Sequence, residues 1–179
     1  MLVTRDIREA EVARLSEVTL AAYAALAGLD VGSYRATLAD VADRVRHAEV
    51  LVAVDERRVL GGVTYVPDRD NPYAEFDDPD AAGMRMLAVD PAAQGRGVGA
   101  ALVGACIRRA CDRGRRRLVL HTTAAMTAAQ RLYRQFGFER AARRDWRPRP
   151  DILLLGYELV IARAPGPDAG AERPDAPVT

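Results

Sequence analysis

The feature that most constrains the fold of this chain is an apolar run that leads through a glycine-rich loop into a helical pattern. It extends from Met84 to Leu102 and reads MRMLAVDPAAQGRGVGAAL. The run from Met84 to Val89 has the length of a β-strand, and Pro91 ends it because proline cannot donate to a sheet ladder. A helical pattern then continues from Val98 to about Arg113. A strand, a tight loop and a helix therefore follow one another directly.

The loop between this strand and this helix has the composition of an anion-binding site. The segment from Gln94 to Gly99 alternates glycines with other residues, and glycines lack a Cβ, so the main chain can approach a ligand closely. The helix that follows presents its unpaired first amides and the positive end of its dipole to the same place. We therefore predict a cradle for a phosphate or a pyrophosphate.

Two known phosphate-binding motifs are partial matches to this loop. A P-loop requires a Lys and a Ser or Thr at the end of its glycine run, and Val98 to Ala100 supplies neither. The dinucleotide fingerprint G-x-G-x-x-G/A is matched by Gly95, Gly97 and Ala100. It also requires an acidic residue about 20 positions later, at the end of the next strand, to hold a ribose. The next predicted strand, Arg117 to His121, carries no carboxylate, which disfavours a dinucleotide-binding oxidoreductase.

A third motif fits the loop better. Gln94, Gly97 and Gly99 resemble the Q/R-x-x-G-x-G/A loop of the GNAT acetyltransferase superfamily, which binds the pyrophosphate of coenzyme A. The segment from Ala128 to Phe138 resembles a second family segment, A-x-x-L-Y-x-x-x-G-F. Because the two segments occur in the family's order and spacing, the chain is identified as a member. The resemblance extends from about Val3 to Val160.

This resemblance implies a fold and a reaction. The implied fold is α/β, the GNAT (acyl-CoA N-acyltransferase) fold, with a mixed, mostly antiparallel central sheet and helices on both faces. The implied reaction transfers acetyl from acetyl-CoA to a primary amine by direct attack in a ternary complex, without a metal. A small-molecule amine, a protein N-terminus and a lysine side chain all fit as acceptors.

The resemblance also implies roles for individual residues. Tyr133 matches the family tyrosine that protonates the leaving thiolate, a role that suits a phenol, whose pKa is ordinarily near 10. In the family two neighbouring strands splay apart at the site, so the amide of Val89 or Ala88 is expected to face the acyl oxygen. The residues expected to bind acetyl-CoA are Leu87, Ala88, Val89, Gln94, Gly95, Arg96, Gly97, Val98, Gly99, Ala100, Met126 and Tyr133.

Two positions depart from the family pattern. The family often has an Asn seven positions before the tyrosine, where this chain has Met126, so Thr122, Thr123 or Thr127 would have to replace its contact. Many members also carry a Glu early on the central strand as a general base, and the segment from Gly83 to Met86 has none. The candidates for this base are Glu75, Asp77, Asp78, Asp80 and His121.

These absences keep other functions open. A non-catalytic module that binds acyl-CoA, or regulates through it, needs neither the Asn nor the Glu, although it leaves Tyr133 unexplained. A dinucleotide-binding oxidoreductase is the third hypothesis, and it lacks the acidic residue that would hold the ribose.

Length, charge and cysteine content narrow the class of protein. With 179 residues, the chain predicts one domain over residues 1–162, followed by a Pro- and Gly-rich tail over 163–179 that we expect to be disordered. The 26 basic and 25 acidic side chains nearly balance, which disfavours nucleic acid or a membrane surface as partners. Without a membrane span or a signal peptide, we expect a cytoplasmic protein. Cys106 and Cys111 have no metal-binding spacing, so no metal is expected.

The remaining elements follow from apolar periodicity and turn residues. Tyr23, Tyr34 and His47 are candidates to line the acceptor pocket, and the long segment from Pro67 to Gly83 is a candidate cover for it. The apolar run from Ile152 to Leu159 suggests pairing across a homodimer. The predicted strands are Leu2–Ile7, Glu49–Val54, Arg58–Val66, Met84–Val89, Leu118–Thr123, Phe138–Arg144 and Ile152–Ile161, and the predicted helices are Arg8–Leu26, Ser33–Val45, Val98–Arg113 and Ala125–Phe136.

Overall fold

The chain folds around one eight-stranded sheet. A computed structural model describes residues 1–26, 32 and 34–161. In this part of the chain the strands are β1 Val3–Asp6, β2 Glu49–Asp55, β3 Arg58–Val66, β4 Ala81–Val89, β5 Arg117–Thr122, β6 Glu139–Arg140, β7 Trp146–Arg149 and β8 Ile152–Val160, and the α-helices are α1 Val12–Ala24, α2 Tyr34–Ala39, α3 Val41–His47, α4 Val98–Asp112 and α5 Thr127–Gln135.

The sheet is mixed and mostly antiparallel, as predicted. Its strand order is β1-β2-β3-β4-β5-β8-β6, with β7 paired to β8 beside this path. Only β4 and β5 run parallel, because α4 carries the chain back across one face between them. The predicted α/β fold class is therefore confirmed.

Strand β2 shows why helices cover both faces of the sheet. Successive side chains of a strand point to opposite faces, and all five residues from Val50 to Val54 are buried. Leu51 and Ala53 belong to one apolar cluster with Leu102 of α4, whereas Val52 belongs to another cluster on the opposite face, together with the α1 residues Leu15 and Val18 and with Val41 of α3. The prediction of helices on both faces is confirmed.

The parallel pair β4 and β5 separates after three residues. Ala81 to Gly83 pair with Arg117 to Val119, and the pairing ends there. On its other edge β4 contains a β-bulge, where Met86 and Leu87 together oppose Val63 of β3. Met86 has φ +56°, which is uncommon for a residue with a side chain. A bulge bends its strand, so the second half of β4 diverges from β5 and leaves a gap in the sheet.

The N-terminal helices differ from the prediction. The expected helix from Arg8 to Leu26 is a 3-10 turn over Glu9–Glu11 followed by α1, which ends at Ala24. The expected second helix is two helices, because Asp40 interrupts it and caps α3 by accepting a hydrogen bond from the Asp43 amide at 2.9 Å. The proposed N-cap Ser33 lies outside the described residues.

Three further boundaries are corrected. Strand β4 begins at Ala81 rather than Met84. The expected strand from Phe138 to Arg144 is limited to β6, and a 3-10 turn over Ala142–Arg144 follows it. The arginine-rich bend forms the edge strand β7, whose two pairs with β8 involve Trp146 and Arg149. The pairing skips Pro148, which has no amide hydrogen to donate.

The structure also bears on the predicted pairing of β8 across a homodimer. Pairing of Ile152 to Leu159 across a dimer requires a free edge, but β8 has β5 on one side and β6 and β7 on the other. The homodimer therefore stays a prediction, and the paired edges of β8 do not support it.

Among the described residues, no helix has the length and apolarity needed to cross a membrane. The predicted tail, 163–179, lies outside them.

Candidate active site

The loop between β4 and α4 is built by one short turn and two left-handed glycines. Asp90 begins the 3-10 turn Pro91–Ala93 by accepting a hydrogen bond from the Ala92 amide at 2.9 Å. Gly95 and Gly97 then adopt φ +76° and +78°. A Cβ on either glycine would meet no atom within 4 Å, so the backbone angle, not space, demands glycine there.

The first turn of α4 opens toward this loop. Gly97 is the N-cap, and the first hydrogen bond of the helix runs from the Ala101 amide to the Gly97 carbonyl at 2.9 Å. The amides of Val98, Gly99 and Ala100 consequently have no partner within the helix. The sequence from Gln94 to Ala100, which we call the cradle, thus presents amides and a positive dipole end, as an anion-binding loop requires.

The side chains of the cradle are arranged around this backbone and leave it accessible. Gln94 is exposed. Arg96 forms an ion pair with Asp55 at 2.9 Å, which ties the loop to the end of β2. Val98 is buried in the core, so only its amide is available to a ligand.

Residues on both sides of the gap between β4 and β5 line a cavity of about 580 Å³. Three of the residues predicted to bind acetyl-CoA, Leu87, Met126 and Tyr133, line this cavity. Ala88, Val89 and the cradle lie outside its wall, so the structure divides the predicted residues between the cavity and the loop beside it. Tyr23 and Tyr34 also line the cavity, whereas His47 lies outside its wall, with Nδ1 3.3 Å from the Asp43 carboxylate.

The backbone of β4 decides which amide faces the gap. The Asp90 amide donates to the Leu60 carbonyl of β3 at 2.8 Å. The carbonyl of Ala88 also points toward β3, since a Cβ on Gly61 would lie 2.6 Å from it. Because the polar groups of successive strand residues point to opposite edges, the Val89 amide points away from β3 and toward the gap. Of the two predicted alternatives, this geometry favours Val89 over Ala88.

Tyr133 is placed on the cavity wall by α5. Its side chain is buried, and its ring lies 5.9 Å from that of Phe138 at an angle of 57°. Among the described residues, the Tyr133 hydroxyl has no hydrogen-bond partner. Burial raises the pKa of this phenol well above its ordinary value. Tyr133 is therefore a protonated, unengaged donor that faces the cavity.

Two threonines lie beside Met126, where the family Asn is missing. The Oγ1 atoms of Thr122 and Thr123 are buried and have no hydrogen-bond partner within the described chain, and both residues line the cavity. Thr127, in contrast, is exposed and lies outside the wall. Buried hydroxyls without partners are uncommon, so of the three predicted replacements for the missing amide, Thr122 and Thr123 have hydroxyls that are free to bond a ligand in the cavity.

The cavity wall contains a charged network that connects three segments. Arg85 on β4 forms an ion pair with Glu75 at 2.8 Å, and the second carboxylate oxygen of Glu75 lies 3.2 Å from Nδ1 of His121 on β5. Burial alone lowers the pKa of Arg85, but Glu75 and Tyr34 outweigh it, and the net pKa lies above its ordinary value. Of the five candidate bases, Glu75 and His121 line the cavity, and Asp77, Asp78 and Asp80 do not.

A sequence comparison decides the family. The profile of the acetyltransferase (GNAT) family matches residues 18–138, more than half of the chain. The chain belongs to the GNAT family. The matched residues include the cradle and Tyr133.

Three relatives of this GNAT protein span it only in part. It is 39% identical over 66 residues to mycothiol acetyltransferase of Rhodococcus erythropolis, covering 37% of this chain and 22% of the relative. The same enzyme from Cellulomonas flavigena is 34% identical over 99 residues, covering 53% and 28%. An uncharacterized N-acetyltransferase of Schizosaccharomyces pombe is 31% identical over 114 residues, covering 63% and 65%. The chain thus spans less than two thirds of the length of each.

Solved structures agree on the fold of this GNAT protein. The structure of yncA from Salmonella typhimurium, which contains its cofactor acetyl-CoA, superposes with a TM-score of 0.67 at 22% identity, covering 95% of this chain and 99% of that one. A GCN5-related N-acetyltransferase from Kribbella flavida gives 0.68 at 23% identity, covering 89% and 98%. At such identities the likeness extends to the fold alone.

Sequence reasoning missed two residues of the GNAT site. In the sequence, Arg85 only marks the place where the family often has a Glu, yet in the structure it anchors the network with Glu75. Trp146 falls in the predicted bend, but it lines the cavity from β7, with its ring 6.4 Å from that of His121 and nearly perpendicular to it. An isolated Trp among arginines was the available signal, because aromatic residues often mark binding surfaces.

Proposed function

We propose that this protein transfers the acetyl group of acetyl-CoA to a primary amine in a ternary complex, with Tyr133 as the proton donor to the leaving thiolate. The observation that carries the proposal is the Tyr133 hydroxyl, which faces the cavity without a partner among the described residues, at the gap between β4 and β5. The cradle lies at one side of this gap, and α5, which bears Tyr133, packs against the first turn of α4.

The donor side of the reaction is assigned to backbone groups. In this proposal the free amides at the start of α4 hold the pyrophosphate of acetyl-CoA, and the gap receives its pantetheine arm. The Val89 amide then donates to the acyl oxygen as negative charge develops on it. A donor aimed at such an oxyanion contributes about 3 kcal/mol to transition-state stabilisation, or roughly a hundredfold in rate.

The chemical steps follow from this placement. The lone pair of a neutral amine attacks the thioester carbon, and a tetrahedral intermediate forms. When the intermediate collapses, the carbon–sulfur bond breaks and its electron pair leaves with sulfur as a thiolate. Tyr133 gives its proton to that thiolate, because burial keeps the phenol protonated until the transfer takes place. The attacking nitrogen loses its extra proton, which returns to the Tyr133 phenolate directly or through solvent, so the products are the amide, the free thiol and the restored phenol.

The relatives support acetyl transfer but do not identify the acceptor. The matched segments cover 22% and 28% of the two mycothiol acetyltransferases, so the acceptor of those enzymes is not carried over. The cavity itself favours an amine with an apolar or aromatic body, because Tyr23, Tyr34 and Trp146 face it.

Ligand binding tests the proposal first. We expect acetyl-CoA and coenzyme A to raise the melting temperature by several degrees, since a ligand at about a hundred times its Kd adds about 2.7 kcal/mol. NAD and ATP are the controls and should produce no shift. Acetyl-CoA should then release free thiol only when an amine is added. Stabilisation by NAD alone would contradict the proposal and favour a dinucleotide-binding protein.

A further inference from the structure

Within the described residues, the cavity wall holds one carboxylate and one imidazole, and they form a pair. His121 Nδ1 lies 3.2 Å from Glu75 Oε2, and His121 Nε2 lies 2.8 Å from the main-chain carbonyl oxygen of Arg144. Both side chains are largely withdrawn from water, with 4% of the His121 side chain and 13% of that of Glu75 exposed. The pair thus lies at the inner surface of the cavity where an acceptor would enter.

The carbonyl of Arg144 fixes the tautomer of His121. A carbonyl oxygen only accepts hydrogen bonds, so Nε2 must carry the hydrogen of this contact. In the neutral ring Nδ1 is then an acceptor, and it faces a carboxylate oxygen, which is also an acceptor. One proton placed between Nδ1 and Oε2 turns this unfavourable contact into a charge-assisted hydrogen bond. The arrangement therefore provides a position that binds one proton.

We infer that the Glu75–His121 pair accepts the proton that the ammonium form of the acceptor must lose before it attacks; this inference rests on the proposed function. An N–H bond of the ammonium breaks, its electron pair stays on nitrogen, and the proton moves to the position between Nδ1 and Oε2. The free amine then attacks the thioester. The pair passes its proton to solvent after the products leave.

The surroundings hold the pair in place and supply its charges. Arg85 binds the other carboxylate oxygen of Glu75, so the carboxylate cannot rotate away from His121. The guanidinium of Arg144 is engaged elsewhere, by Asp78 and Glu158. The charged or titratable side chains that face the pair from the elements around it are Arg85 of β4, Tyr34 of α2, which accepts a hydrogen bond from Arg85, and Asp145 after β6.

Two amines of the same shape test the inference. Phenethylamine enters mostly as an ammonium ion at pH 7, whereas two fluorine atoms on its benzylic carbon withdraw electrons and leave the amine mostly neutral. We expect Glu75→Gln and His121→Gln to lower kcat for phenethylamine roughly a hundredfold, as for loss of a general base. The fluorinated amine needs no base, so its kcat should change less than about threefold. With phenethylamine, the variants should require a higher pH than the wild type to reach their maximal rate.

Matched controls separate chemistry from folding. Asp77→Asn changes an exposed acid of the same loop, and His47→Gln changes the other histidine, which lies outside the cavity. Both control variants should leave kcat unchanged with phenethylamine and with the fluorinated amine. All four variants should keep the wild-type thermal shift with acetyl-CoA. Equal losses of kcat for the two amines in Glu75→Gln, or no loss for either, would overturn the inference.

A spectroscopic test does not depend on the acceptor. With ¹⁵N-labelled histidine, the spectrum contains only His47 and His121, and His47→Gln assigns them. At alkaline pH the neutral His121 ring should carry its hydrogen on Nε2, and a hydrogen on Nδ1 would overturn the inference. If the wild-type protein releases thiol with neither amine, the proposed function fails for both of these acceptors. The position of the hydrogen on the neutral His121 ring then remains as the test of the Glu75–His121 pair.

Discussion

Gly99 and Leu132 are in direct contact, and this contact joins the cradle to the helix that bears Tyr133. A Cβ on Gly99 would lie 3.1 Å from Cδ2 of Leu132 and 3.8 Å from Cγ2 of Val89. A separation of 3.1 Å is shorter than carbon–carbon contacts normally are. Only glycine therefore lets α5 approach the first turn of α4 this closely, and the position of Tyr133 depends on that approach.

Replacing Gly99 with Ala should displace α5 by a few tenths of an ångström. A misplacement of about 1 Å at an active site costs about a hundredfold in rate, so we expect kcat to fall roughly fivefold. Gly104→Ala is the matched control on the same helix, because the nearest neighbour of its Cβ would be the flexible end of Arg108, at 3.4 Å. It should stabilise α4 by up to about 1 kcal/mol and leave kcat unchanged. Equal kcat values for the two variants would show that the contact does not position Tyr133.

Gly97 and Gly114 permit a second matched comparison. Both have a left-handed backbone, with φ +78° and +65°, and a Cβ added to either would have no atom within 4 Å. Alanine should therefore cost each site about 1–2 kcal/mol in the free energy of unfolding. Only Gly97 belongs to the cradle, so Gly97→Ala alone should weaken acetyl-CoA binding, by roughly tenfold for one lost charged hydrogen bond. Denaturant titration measures the change in the free energy of unfolding, and calorimetry measures the Kd for acetyl-CoA. Equal Kd values in the two variants would exclude Gly97 from the binding loop.

The parts of the site that the sequence predicted are those encoded within one short segment. The glycine loop and the start of α4 each depend on local backbone preferences, and the structure has both. Tyr133 can be found from the sequence because its helix carries a motif that reads along a single segment. The boundaries failed where one side chain overrides a helical pattern, as Asp40 does between α2 and α3.

The acceptor side could not be predicted in this way. Glu75, Arg85 and His121 come from a loop and two strands, and no periodic pattern shows that they meet. The 3-10 turn that replaces the end of the predicted strand after Phe138 depends on a long-range contact as well. There the Gly156 amide donates to the Asp145 carboxylate at 2.9 Å. Such contacts exist only after the sheet has formed.

Asp90 should make the stability of the fold sensitive to acid. The hydrogen bond from the Ala92 amide and the guanidinium groups of Arg14 and Arg58 hold the pKa of Asp90 below its ordinary value, although burial opposes them. A depressed pKa stabilises the folded state above the ordinary value, and this contribution is lost as the pH falls through the lower, folded value.

Asp90→Asn keeps an oxygen that can accept from Ala92 but loses both ion pairs. We expect it to reduce the free energy of unfolding by about 1 kcal/mol at pH 7, since both arginines are partly exposed. The difference from the wild type should shrink as the pH falls below about 4. Asp70→Asn is the control, because Asp70 is 90% exposed. A difference that persists unchanged at about pH 3 would contradict the role of the Asp90 charge.

Tyr133→Phe tests the proton donor directly. The substitution removes one hydroxyl from the cavity wall and keeps the ring packed against Phe138, so we expect little change in stability or in acetyl-CoA affinity. Without the donor, the thiolate must leave unprotonated, and kcat should fall at least tenfold, within the range of general acid catalysis. Because burial raises the pKa of Tyr133, the wild-type rate should show no loss from ionisation of this phenol up to about pH 10.

Tyr157→Phe is the control, since the Tyr157 hydroxyl donates a hydrogen bond to Gln130 and the residue lies outside the cavity wall. An unchanged kcat in Tyr133→Phe, measured as thiol release at saturating acetyl-CoA, would remove Tyr133 from the mechanism.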